Sequence, residues 1–193
     1  MTTRPILVLA AALALSGCLS FGSKPPPVLM RLTASEPRPA GASRTAGAGD
    51  AITVVVPTVP QELRTARVPV RTGGTGVAYL KDAQWVGNPD ALFARLLSET
   101  IAARTGRVVL DPLQTTFDPG TRLSGTLATF GLDADTSEAV VVYDAVLARG
   151  PNAVESRRFE ARAPVAAVDA ASAPDALNQA ANQIASEVAA WVG

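Results

Sequence analysis

Three successive stretches decide the fold: Arg122–Leu132 (RLSGTLATFGL), Ala139–Arg149 (AVVVYDAVLAR) and Glu155–Val165 (ESRRFEARAPV). Each is dense in β-branched, aromatic or alternating apolar residues, and the third sets Phe159, Ala161, Ala163 and Val165 on one face at a spacing of two. Between them lie an acidic turn, Asp133 to Glu138, and the turn sequence Gly150-Pro151-Asn152. Long strands joined by short turns predict an antiparallel meander. Ser172-Ala173-Pro174-Asp175 then opens a closing helix, with Ser172 as its N-cap, and Leu177, Ala181, Ile184, Val188 and Trp191 form one apolar stripe along it.

Reading toward the amino terminus, Val108–Leu110 is a short strand, preceded by a helix that Asn88-Pro89-Asp90 starts and Gly106 stops. Leu92, Phe93, Leu96, Leu97 and Ile101 give that helix its buried face. Val68-Pro69-Val70-Arg71 and Val77-Ala78-Tyr79-Leu80 flank Gly73, Gly74 and Gly76, which predicts a hairpin. A phosphate-binding loop would open directly into a helix, whereas strand-like alternation follows here. Ala51–Val59 (AITVVVPTV) is too apolar for a strand wetted on one face and reads as a central strand ended by Pro57 and Pro60. Val28–Thr33 supplies a first strand, and Ser35–Asp50, rich in Pro, Ala, Gly and Ser, a mobile loop. The expected fold is α/β of the α+β type. It is a two-layer sandwich in which a mixed or antiparallel sheet carries two main helices on one face.

The first residues follow a different grammar. Met1–Arg4 is a short cationic start, and Ile6–Leu15 is an uncharged apolar run before Leu15-Ser16-Gly17-Cys18. Ten apolar residues rise only about 15 Å as a helix, half the thickness of the hydrocarbon layer. The run therefore reads as a signal peptide over residues 1–17 rather than an anchor. Leu15, Ser16 and Gly17 followed by Cys18 resemble a bacterial lipobox, which makes Cys18 the lipidated first residue of the mature protein. Several acyl chains would hold it durably on a membrane. Leu19 is not the Asp that commonly marks inner-membrane retention, so the periplasmic face of the outer membrane is the expected location. Residues 18–27, ending in Pro25-Pro26-Pro27, form a tether, and residues 28–193 a single domain.

Composition removes most chemistry. Histidine is absent, and Cys18 is the single cysteine, so His-dependent triads, His metal ligands, redox pairs and internal disulfides have no candidates. Seventeen basic and 17 acidic residues leave no net charge to gather nucleic acid. Asp133, Asp135 and Glu138 lack the ligand set of a Ca²⁺ loop and read as a solvated turn. Ser98, Ser124 and Ser172 have neither an elbow motif nor a paired lysine, since the two lysines are Lys24 and Lys81. The sequence predicts no enzyme, no metal and no cofactor.

The order of lipobox, short strand, ITVVVPTVPQEL, the basic strand Arg67 to Arg71, Tyr79-Leu80, Trp85, helix, RRF segment and Ala-rich closing helix resembles the ABC-type transport auxiliary lipoprotein family. The likeness runs through the mature chain and is most specific from Ile52 to Trp85, where Pro60, Leu63, Arg67, Arg71, Tyr79, Leu80 and Trp85 stand at family positions. Glu62 replaces an aromatic often found there, and Trp85-Val86-Gly87-Asn88-Pro89 departs from the usual Trp-Ala-Glu-Pro run. What the resemblance implies is an accessory of an MCE-type transport system that docks the MCE protein at the outer membrane, where phospholipid or other hydrophobic compounds cross between membranes. Two other readings use the same features: a lipid-binding carrier, and an envelope scaffold that activates cell-wall enzymes.

The expected docking segment is Pro60–Trp85. An extended chain from Arg67 sets Arg67 and Arg71 on one face and Val68 and Val70 on the other. With Arg64, Tyr79 and Trp85 nearby, this is the composition of a protein interface. A solvated edge strand guarded by charge has the same pattern, and an unpaired hairpin edge would allow a homo-oligomer. Trp85 has two readings, packed under the helix start or offered to a partner. For the amino terminus the outcome is concrete: Cys18→Ser is expected to abolish fatty-acid labelling and to release the protein from salt-washed membranes, and labelled, membrane-retained Cys18→Ser protein would refute lipidation at this residue.

Overall fold

The structure is a computed structural model that describes residues 28–37, 41, 43–47, 50–113 and 120–193. The signal peptide, Leu15, Ser16, Gly17, Cys18 and the tether lie outside the described residues.

Eight strands form one open mixed sheet with both helices packed on the same face. In chain order these are β1 (Val28–Met30), β2 (Ala51–Val54), a single 3-10 turn (Gln61–Leu63), β3 (Arg67–Thr72), β4 (Gly76–Trp85), α1 (Pro89–Thr105), β5 (Val108–Leu110), β6 (Thr121–Asp133), β7 (Glu138–Arg149), β8 (Ala153–Pro164) and α2 (Ala173–Val192). The meander β6–β7–β8 is antiparallel from end to end. Beyond β6 the sheet turns parallel: β2 and β3 both run with it, β5 continues from β2, and the β3–β4 hairpin continues to the short parallel strand β1.

Strand β6 organises this arrangement because its second edge is shared. Its first half faces β2, and its last residues, Leu132 and Asp133, face Val70 and Arg71 of β3. After Pro57 the chain still follows β6, with Thr58 N–H donating to the Gly125 carbonyl at 3.0 Å and Leu127 N–H to the Thr58 carbonyl at 2.9 Å. Ala128 is then an extra residue, a bulge that resets the register against β7. It also switches which side chains face the helices, from Leu123 and Leu127 to Phe130 and Leu132, all fully buried. Two glycines permit the close spacing. A Cβ on Gly125 would stand 2.1 Å from the Asp144 carbonyl oxygen, and one on Gly131 would stand 2.3 Å from the Pro69 carbonyl oxygen.

The core lies between this sheet and the helices. Trp85, Phe130, Phe93 and Tyr143 form a continuous aromatic row, with successive ring centroids 4.7, 6.2 and 5.3 Å apart. Burial pushes the Tyr143 phenol pKa up, and its hydroxyl donates to the Ser124 carbonyl at 2.9 Å. Alanines at 173, 176, 180, 181, 185 and 189 are buried on α2 and let it approach the sheet and α1 closely. Trp191 is half-buried, its ring 5.7 Å from Phe159.

Several sequence expectations need correction. Ala51–Val59 is strand only to Val54, because proline cannot continue the ladder and the chain drops to isolated contacts. Neither Asn88 nor Ser172 caps its helix through a side-chain hydrogen bond. Ahead of α2 the turn is closed by Asp169, whose carboxylate accepts from Ser172 N–H at 2.8 Å and Ala171 N–H at 3.0 Å, bonds that hold its pKa below the usual carboxylate range, and whose backbone carbonyl accepts from Ala173 N–H at 3.2 Å. Strand β3 is not an edge, being paired on both sides, and β1 covers part of the far side of β4. In the described part of Ser35–Asp50, Arg44 donates to the Ala102 carbonyl at 2.6 Å near the end of α1, and Ser35 N–H donates to Asn182 at 2.8 Å.

Gly131→Ala is expected to cost about 2 kcal/mol or more in urea unfolding, since the β3 backbone must move away. Gly87→Ala, with open space around it, is expected to stay within about 0.5 kcal/mol of the parent.

Candidate functional site

Helices cover one face of the sheet, and no described helix covers the other. Along β8 the covered face carries Phe159, Ala161 and Ala163, all buried, and the open face carries Ser156, Arg158, Glu160 and Arg162, all exposed. On β7 the same face carries Val140 and Val142, both buried, and the half-buried Asp144, and on β6 Thr126, Thr129 and Gly131.

Arg67, Arg71 and Tyr79 all lie on this open face. Pro69 is directly opposite Tyr79, so Tyr79 shares the side of Pro69 and Arg71. The Arg67 guanidinium lies 4.1 Å above the centre of the Tyr79 ring, a cation–π contact, and the phenol donates to the Glu62 carbonyl at 3.4 Å. The Arg71 guanidinium donates to Thr129 Oγ1 at 2.8 Å across the β3–β6 junction. Val68 and Val70 are buried on the other side. A bulge between Arg67 and Pro69 accompanies this arrangement, and in β4 it is matched by an irregular stretch in which Asp82 adopts φ 60.

Other members of the expected set are elsewhere. Arg64 lines a separate hollow with Pro57, Thr58, Val59, Asn88 and Asp90. Trp85 ends β4 rather than lying in a connection, and at 2% exposure its indole is core, so it is withdrawn from any partner. The physical reason is Phe130, which offers a tilted ring 4.7 Å away on the helix-covered side.

Charge on the open face is uneven. Arg158 pairs with Asp144 at 3.3 Å, and Arg162 pairs with Glu138 at 3.0 Å and Glu160 at 2.9 Å. Arg67 and Arg71 have no carboxylate at ion-pair distance among the described residues. A chain of zero net charge therefore carries two guanidiniums without a carboxylate partner on one strand of the face that no described helix covers. The hairpin beside them is clamped by a residue that spacing alone did not single out for this purpose. Asp135, in the β6–β7 turn, accepts from Gly73 N–H at 3.2 Å, while Asp133 closes its own turn by accepting from Asp135 N–H and Thr136 N–H. The acidic turn thus shapes and positions the hairpin tip.

Enclosed space is small. A cavity of about 20 Å³, room for one water, lies between Arg71, Val77, Thr129 and Val140 on the open face. Larger hollows, of about 500 and 490 Å³, are grooves open to solvent. Among the described residues no cluster of His, Cys, Asp and Glu is placed to hold a metal ion, and no described helix is long and apolar enough to cross a membrane.

The family model described as the ABC-type transport auxiliary lipoprotein component matches residues 32–189. The chain belongs to this family. The ABC-type transport auxiliary lipoprotein components are accessories of transport systems rather than an enzyme family, and their lipoprotein character associates the chain with the cell envelope. Among solved structures, the chain is similar to protein XCC0632 of Xanthomonas campestris, from the family DUF330. The TM-score is 0.71 at 17% identity, covering 85% of this chain and 93% of that one. It is also similar to an uncharacterised protein with TM-score 0.64 at 17% identity, covering 75% of this chain and 93% of that one. At such identity the likeness shows the fold alone. No curated protein matches the sequence.

Asp135→Ala is expected to speed amide hydrogen exchange at Gly73 and the hairpin tip while changing global stability by only about 1 kcal/mol, the worth of one exposed hydrogen bond. Exchange protection at Gly73 equal to that of the parent would show that the clamp is idle.

Proposed function

We propose that this chain is a periplasm-facing lipoprotein, held at the outer membrane through Cys18, that docks the MCE protein of an ABC-type transport system carrying phospholipid or other hydrophobic compounds between the membranes. Its work is to capture and steady a partner, without catalysis. The observation that carries this reading is the pair Arg67 and Arg71, uncompensated on a sheet face that no described helix covers. Cationic and aromatic groups held in place before binding lose little entropy when a partner arrives. Arg67 is held over the Tyr79 ring and Arg71 by Thr129. The surface suits an acidic segment of the partner, and Arg is among the residue types enriched at interface hot spots.

The carrier reading has less support. A ligand with two acyl chains needs an enclosed apolar pocket of roughly 300–1,000 Å³. The hollows of that size, about 500 and 490 Å³, lie open to solvent, the cavity beside Arg71 holds only about 20 Å³, and the aromatic row fills the core.

The test is capture of the MCE protein from a detergent-solubilised envelope by the full chain. The Arg67→Glu/Arg71→Glu double variant is expected to lose capture by about tenfold or more, as reversing charge at an interface usually does, with unchanged circular dichroism and melting. Undiminished capture by this folded variant would remove the surface from consideration. Capture of a cell-wall synthase in place of the MCE protein would support the scaffold reading instead.

A further inference from the structure

The long free edge of this sheet is not the hairpin but β8. Its 12 residues pair with β7 along their whole length, and among the described residues nothing pairs with the opposite edge. A row of unpaired N–H and C=O groups of that length invites another strand unless side chains forbid it. On β8 the side chains select one neighbour.

We propose that β8 pairs antiparallel with β8 of a second copy of this chain, about a twofold axis through Phe159, extending the sheet from one copy into the next. The inference is independent of the docking surface on β3 and β4.

The register follows from charge. Where two identical antiparallel strands continue one sheet, directly opposite residues point to the same face. The axis must then pass through a residue, and the four registers with the greatest overlap centre on Arg157, Arg158, Phe159 and Glu160. Three of these set like charges against each other on the axis. Centring on Phe159 instead places Arg158 opposite Glu160 of the second copy, twice by symmetry, and Ser156 opposite Arg162. Asp144 and Arg158 are already joined at 3.3 Å, and Glu138, Arg162 and Glu160 at 3.0 and 2.9 Å. The new pairs would link these two groups into an alternating row running Asp144, Arg158, then Glu160, Arg162 and Glu138 of the second copy.

Apolar groups agree with the same register. Val154, 67% exposed in the single chain, comes to lie opposite Pro164 of the second copy. On the helix-covered face Arg157, stacked 4.9 Å above the Phe159 ring, meets the short side chain of Ala161, and Glu155 meets Ala163. Helix α2 packs over β7 and β8, so the two copies of α2 would run about two strand spacings apart, ~10 Å, a distance at which helices pack. The charges that would repel an arbitrary strand thus admit this one.

The test uses the full chain in mild detergent, followed by sedimentation with the detergent density-matched. The parent protein is expected to dimerise at concentrations of tens of µM, the range for a modest interface. Arg158→Glu and Glu160→Arg, each alone, are expected to weaken self-association by about tenfold or more, because each sets two like-charged pairs across the axis. Mixed in equal amounts they are expected to recover the parent's association, since every reversed side chain then faces its opposite. Val154→Asp provides a variant that leaves the ion pairs intact and is also expected to weaken the dimer. Circular dichroism and melting confirm that each variant is folded. A parent protein that stays monomeric at about 100 µM, single variants that associate as tightly as the parent, or a mixture no tighter than its components would overturn the proposal.

Discussion

One strand edge serves two neighbours in this fold, and the rest of the sheet depends on how that is managed. β6 is paired along one side with β7, while its other side receives β2 and the Thr58 segment first and β3 afterwards. The Ala128 bulge allows the exchange by turning the strand just where one neighbour gives way to the other. Gly131 completes it by letting the Pro69 carbonyl approach to a distance that any side chain would block. Leu63, from the 3-10 turn between the two neighbours, is buried where the strands part. The hairpin, β1 and the Arg67–Tyr79–Arg71 group all hang from this junction, so the candidate surface inherits its geometry from a backbone contact on β6.

The same junction explains why the acidic turn matters. Asp133 is the last residue of β6 that pairs with β3, opposite Arg71, and Asp135, two residues on, reaches back to the Gly73 amide on the hairpin tip. Charge in this protein is therefore arranged by position rather than excess. A net charge of zero coexists with a row of compensated pairs on β7 and β8 and an uncompensated pair of arginines on β3. The separation leaves the charges along β7 and β8 paired and those of Arg67 and Arg71 unpaired by any described carboxylate. Net charge by itself excludes only partners that need a strong overall field.

Much of the fold was legible in the sequence because its elements carry strong local signals. The meander over Arg122–Leu132, Ala139–Arg149 and Glu155–Val165, the glycine hairpin, the Pro89 helix stopped by Gly106 and the striped closing helix all follow from periodicity and turn chemistry, which need only near neighbours. Family membership was legible for a similar reason, since its most specific motif runs within the single segment Ile52–Trp85. Pairing was not legible. That β3 is interior and β8 the free edge, that β2 and β3 succeed each other on β6, and that the apolar face of β6 changes parity at Ala128 are properties of strands far apart in the chain. The same is true of Trp85, whose burial depends on Phe130 arriving from β6. A residue's type and spacing state which face it can present; only the tertiary pairing decides what lies across from that face, because hydrogen-bonded register is fixed between strands and not within them.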